Sequence, residues 1–152
     1  MHRKSIENRE NLITPPHRKP IDAYFTGTRY ASVDSGNRFS IPAAALKLIE
    51  KDPENVVDGK IVLYILDFEE QGIGIFPKSV YDDIYEQLDR ESQAAFLRDQ
   101  QITSVDKSGR VSISSRVGQY AIKGLKYVKL VGNGDVLFVE PVDGKPGKRT
   151  KS

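Results

Sequence analysis

Val33-Asp34-Ser35-Gly36-Asn37-Arg38-Phe39-Ser40-Ile41-Pro42 returns 72 residues later as Val105-Asp106-Lys107-Ser108-Gly109-Arg110-Val111-Ser112-Ile113-Ser114. Aligned without gaps, the copies share Val33/Val105, Asp34/Asp106, Arg38/Arg110, Ser40/Ser112 and Ile41/Ile113. Self-similarity at a fixed offset is the mark of a repeated structural unit. Two copies are too few for a solenoid, so the repeat predicts two pseudo-equivalent halves of one small domain.

Each copy has the same physical grammar: an extended residue, an Asp, a tight turn, an Arg, and then a strand whose apolar side chains alternate with Ser. Phe39 and Ile41 are expected on one side and Ser40 on the other, the period of a half-buried strand entered through a bend. The slot before the arginine calls for a positive φ. Gly109 adopts it at no steric cost, and Asn37, in the first copy, is among the side chains that best tolerate it.

A doubled Asp-x-x-Gly-Arg-(apolar)-x-(Ile/Leu)-Pro motif, with a helical segment between the copies, resembles the MraZ family of bacterial transcriptional regulators, which is related to the AbrB-type swapped-hairpin proteins. The likeness covers residues 24–141. It departs from the family pattern at Gly36, displaced by one position, and at Ser114, where the family has Pro. The resemblance implies a strand-rich α+β fold: two pseudo-symmetric halves forming a small double-split or swapped-hairpin β-barrel with peripheral helices. It also implies a sequence-specific DNA-binding regulator of division and cell-wall genes, its own operon included. Such a protein would be cytoplasmic and nucleoid-associated, and would act as a ring-shaped homo-oligomer on repeated promoter boxes in double-stranded DNA.

Outward from the motif, residues 21–33 are expected to hold the first strand, with Tyr24, Thr26, Thr28 and Tyr30 alternating with Phe25 and Ala31. Pro42 opens a helix over 43–51 as its first residue, with Ala45, Leu46 and Ile49 as the buried stripe. A hairpin over 60–66 and 73–76 follows. Helices are expected over 77–88, on Val80, Ile84 and Leu88, and over 91–101, on Ala94, Phe96 and Leu97. The second half (102–141, against 22–101 for the first) repeats the order: strand over 102–105, turn, strand over 111–113, helical turn near 116–121, and a hairpin over 127–131 and 136–139. Gly132-Asn133-Gly134-Asp135 joins that last hairpin and is the strongest turn signal in the chain.

A chain of 152 residues suits one domain with a real core. It has no Cys, and its two His, His2 and His17, fall in the Pro-containing stretch 1–21, which reads as a disordered basic arm. Neither a metal site, a cofactor nor a catalytic residue is expected. No apolar run reaches membrane length. Residues 142–152 read as a flexible basic tail. Net charge is only +2, but it is segregated. The arm has five Lys/Arg against two Glu and the tail four against one Asp, whereas 67–99 has nine Asp/Glu against three Lys/Arg. Such asymmetry steers a polyanion toward one face, although a solvated acidic helix surface has the same composition.

Arg38 and Arg110 are the candidate DNA-contacting residues, with Asn37 and Lys107 beside them and Arg29 and Arg116 as weaker candidates. Asp34 and Asp106 stand four residues before each arginine, and an ion pair across the turn would pin it. The two roles are compatible, since a carboxylate that orients a guanidinium readies it for guanine O6/N7 or phosphate. Gly72-Ile73-Gly74 and Gly132-Asn133-Gly134 are not phosphate loops, because neither precedes a helix with the required Lys-Ser/Thr. Asp82, Asp83 and Glu86 belong to a solvated helix face. The strand over 61–66 is apolar beyond what one small barrel is expected to cover, which suggests an interface between copies. The rival to DNA binding is an interaction or scaffold module of the same fold.

Overall fold

The computed structural model describes residues 24–68, 72–113 and 125–142. The arm over 1–21, the helical turn near 116–121 with Arg116, and all of the tail but Val142 lie outside the described residues. In chain order the elements are β1 (Thr28–Ser32), β2 (Arg38–Ser40), α1 (Ala43–Glu50), a 3-10 turn (Pro53–Asn55), β3 (Val56–Val57), β4 (Lys60–Asp67), β5 (Ile73–Pro77), α2 (Lys78–Glu86), α3 (Arg90–Asp99), β6 (Gln100–Ser104), β7 (Arg110–Ser112), β8 (Tyr127–Asn133) and β9 (Val136–Pro141). The fold is strand-rich α+β. An open antiparallel sheet runs β1-β8-β9-β5-β4, and β4 also carries β6 along its length and β3 at its start. β2 and β7 form a separate two-stranded antiparallel sheet. Among the described residues the sheet does not close into a barrel.

The repeat extends well beyond the motif. β1 and β6 are both five residues long and stand at the same 72-residue offset as the turns. β1 pairs with β8 of the second hairpin, whereas β6 pairs with β4 of the first. Each half thus lends its leading strand to the other, and β5 against β9 joins the two hairpins. Neither half has a complete sheet of its own.

The sheet is covered on both sides, and the strand period sorts its residues between two cores. Leu63 and Ile65 of β4, Ile75 of β5 and Leu137 of β9 face a core shared with Phe39, Ile41, Ile49, Val111 and Ile113. Leu66, Phe76 and Phe138, from the opposite pleats, face a second core with Val80, Tyr81, Ile84 and Phe96 of the helices. The apolar run in β4 is explained by this double coverage: Leu63, Ile65 and Leu66 are fully buried within one chain. That removes the premise from which an interface between copies was expected.

Local chemistry sets most boundaries. Pro42 is the N-cap of α1 and not its first helical residue, with φ −54° and ψ 131°, and Pro77 stands in the same relation to α2. Asp89 caps α3 by accepting from Ser92 N at 2.8 Å. α3 buries Ser92, Ala95 and Phe96, while Leu97 is 55% exposed. Of the expected Ala94/Phe96/Leu97 stripe only Phe96 is buried, because the face that meets the second core is the i, i+3, i+4 set Ser92, Ala95 and Phe96. The first strand is shorter than expected: Phe25 bridges to Gly134 and buries its ring, so regular pairing begins only at Thr28.

Asn55, which no motif marks, is fully buried and ties two elements together. Its Nδ2 donates to Ile49 O at 2.9 Å, at the end of α1, and its Oδ1 accepts from Ser79 N at 2.7 Å, in the first turn of α2. Replacing it with Ala orphans the Ser79 N–H and leaves Ile49 O with only its backbone donors, among them Asp52 N at 3.2 Å. Asn55→Ala is expected to cost about 2 kcal/mol in denaturant unfolding, and a loss below about 0.5 kcal/mol would show that water takes over both bonds.

Tyr81 lies under the helices with 4% exposure, stacked on Tyr64 at 4.1 Å, and its hydroxyl donates to Gln100 Oε1. Burial raises its pKa well above the ordinary 10.0, so the fold favours the neutral phenol. The contribution is complete below pH 10 and is lost as pH rises beyond it, since only the unfolded chain then gives up the proton. Melting temperature should fall from pH 9.5 to 11 in the wild type and fall less in Tyr81→Phe. Equal slopes would show that other groups carry the alkaline loss.

Candidate nucleic-acid interface

The two turns are built alike, bond for bond. In the first, Asp34 Oδ1 accepts from Gly36 N at 2.8 Å and from Arg38 N at 3.0 Å. In the second, Asp106 Oδ1 accepts from Ser108 N and from Arg110 N, both at 2.9 Å. The backbone closes each loop the same way, Asn37 N to Asp34 O and Gly109 N to Asp106 O, both at 3.0 Å. Asn37 has φ 60° and Gly109 φ 82°. The displaced Gly36 is thereby accounted for: Asn37 supplies the left-handed residue, and Gly36 is not needed for it.

β2 and β7 then set the turns against each other. Phe39 lies opposite Val111, with Arg38 opposite Ser112 and Ser40 opposite Arg110. Ile41 N donates to Gly109 O at 2.9 Å and Ile113 N to Asn37 O at 3.1 Å, which locks each turn to the strand after the other. Phe39 and Val111 point into the core at 1% exposure, so the alternation turns both arginines outward.

Arg38, Arg110, Asp34 and Asp106 meet in one cluster. Arg38 Nε donates to Asp34 Oδ2 at 3.0 Å, and Arg110 Nη1 donates to the same oxygen at 3.3 Å. Arg110 Nε lies 3.3 Å from Asp106 Oδ2, within ion-pair range, but its N–H is not aimed at that oxygen and makes no hydrogen bond. The guanidinium-bearing side chains remain 42% and 34% exposed. Both aspartates are held below the ordinary carboxylate range, chiefly because they accept the backbone N–H of Arg38 and Arg110 and also because the positive guanidinium groups stand beside them. Both stay ionised at neutral pH and hold the arginines in place.

Of the other expected site residues, Asn37 serves the turn through its backbone, and Lys107 is exposed at the tip of the second turn. Arg29 sits on β1 opposite Leu130 and makes none of the cluster's contacts. Sequence reading gave no role to Ser112, whose Oγ donates to Gly36 O at 3.3 Å, or to Gln101, whose Nε2 donates to Ser112 O at 3.1 Å. The only advance signal for Ser112 was its place in the repeat.

α2 and α3, which carry much of the acidic segment, pack on the face of the sheet opposite β2 and β7. The arginine cluster is thus on the other side of the sheet from these helices, although Glu50 and Asp58 line a cavity with Asp106, Lys107 and Gly109 of the second turn. No helix among the described residues is long and apolar enough to cross a membrane. No family model matches this chain, and no curated protein matches it.

Proposed function

We propose that this chain is a sequence-specific DNA-binding transcriptional regulator of the MraZ type. The observation that carries the reading is the pairing of β2 with β7, which sets Arg38 and Arg110 side by side, outward and oriented by carboxylates, on the face away from the acidic helices. A guanidinium fixed at one edge can present the other to guanine O6/N7 or to phosphate. The exchange of leading strands between the halves supports the swapped-hairpin relationship. By the same likeness the chain assembles as a ring-shaped homo-oligomer on repeated promoter boxes, works at the nucleoid in the cytoplasm, and controls division and cell-wall genes together with its own operon.

One observation favours the alternative, an interaction or scaffold module without DNA binding. Two carboxylates balance the two guanidinium groups, so the cluster itself carries no net positive charge. A gel-retardation titration decides between them, with DNA from upstream of the chain's own gene against a shuffled duplex of equal length. Preference for the upstream DNA is the expected result, and equal, weak retardation of both would favour the scaffold reading.

A further inference from the structure

The two copies are unequal within the cluster, and the inequality runs in one direction. Asp34 Oδ2 accepts from both guanidinium groups, whereas Asp106 Oδ2 lies 3.3 Å from Arg110 Nε without a hydrogen bond, and Arg38 acts on Asp106 through its charge alone. Ser112 Oγ likewise reaches back to Gly36 O in the first turn. The symmetric hydrogen bonds, Arg38 to Asp106 and Ser40 to Ser108, do not occur among the described residues. The two turns differ in a pair of residues beside the arginines. A Cβ on Gly36 would lie 3.3 Å from Arg38 Nε and 3.4 Å from Asp34 Oδ1. Its counterpart Ser108 carries a Cβ at that place. Gly36 leaves room for Arg38 to close on its own aspartate, whereas the second turn carries a side chain at that place and its arginine reaches across to Asp34.

We propose that Asp34 is the positioning residue for both arginines, so that the first turn governs recognition by the second; this rests on the reading that the arginines contact DNA. The chemistry makes the two contacts different. Arg38 holds Asp34 through Nε, which leaves Nη1 and Nη2 free for a bidentate contact to guanine. Arg110 holds Asp34 through one N–H of Nη1, at the corner of that same fork, so its aim at guanine is set by Asp34 as well.

The anchor can be tested on the full chain without DNA, by following the side-chain carboxyl carbons of Asp34 and Asp106 through an acid titration by NMR. Arg110→Ala should raise the Asp34 midpoint by more than Arg38→Ala raises that of Asp106. Ser108→Gly, which makes room in the second turn, should raise the Asp34 midpoint and lower that of Asp106 as Arg110 returns to its own carboxylate. Equal reciprocal shifts, or a Ser108→Gly chain that titrates like wild type, would overturn the shared anchor.

With DNA, Asp34→Asn should lower discrimination at both halves of the site by about tenfold, and Asp106→Asn at the second half only. Arg110→Lys, which keeps the charge near Asp34 without the fork, should restore the Asp34 midpoint but not discrimination at the second half. Equal losses from the two Asp→Asn variants overturn the hierarchy between the turns. A wild-type chain without any site preference overturns the DNA reading itself, whereas the titration alone decides whether Asp34 is the shared anchor.

Discussion

Arg38→Ala and Arg110→Ala each lower preference for the specific DNA site by roughly 10- to 100-fold while leaving thermal melting nearly unchanged. The side chains are 42% and 34% exposed and point away from the core, so their removal opens no cavity. Their ion pairs are accessible to water, where such pairs contribute little to stability. A bidentate base contact, by contrast, is lost outright on truncation and is multiplied by the number of subunits engaged. Fluorescence anisotropy against matched and shuffled duplexes, beside a melting curve for each variant, reads both effects. If both variants melt early, the arginines are pins for the turns. Unchanged binding with unchanged melting would leave them neither role.

Gly132→Ala should be among the most damaging single methyls in the described fold. A Cβ there would lie 2.4 Å from Thr26 N and 2.6 Å from Phe25 C, distances at which backbone, and not a movable side chain, must give way. Gly132 N also donates to Gly27 O at 2.8 Å, so the approach to β1 lies directly on β8. Displacing it would lift Phe25, 2% exposed, out of the core. The expected loss is about 3 kcal/mol in chemical unfolding. Gly134→Ala is the control: its Cβ would meet nothing within 4 Å, and only its φ of 73° is strained, a cost of about 1 kcal/mol. Similar losses from the two would mean that backbone strain alone, and not the close approach of the chain, is being measured.

The features legible in advance are those that a few neighbouring residues decide. Asn37 and Gly109 at positive φ, the ion pair of each turn's Asp with its own Arg, the period-two burial of Phe39 and Val111, and the hairpin joining β8 to β9 all follow from local sterics and short-range interactions. The 72-residue offset also held beyond the motif, since β1 and β6 are equivalent strands. The acidic segment between the copies was visible as composition, and its place on the far side of the sheet was not.

By itself, then, the sequence determined two equivalent turns, each with an Asp to hold an Arg, and the strands and helices around them. Only the tertiary structure decided which half pairs with which, that both sides of β4 are covered by the same chain, that Asn55 joins α1 to α2 across 24 residues, and that Arg110 leans on Asp34 across 76. The physical reason is one of range. Turn and strand preferences are settled by steric contacts a few residues apart, whereas strand exchange and a carboxylate shared between two turns exist only after distant segments have been brought together, and no local pattern records them.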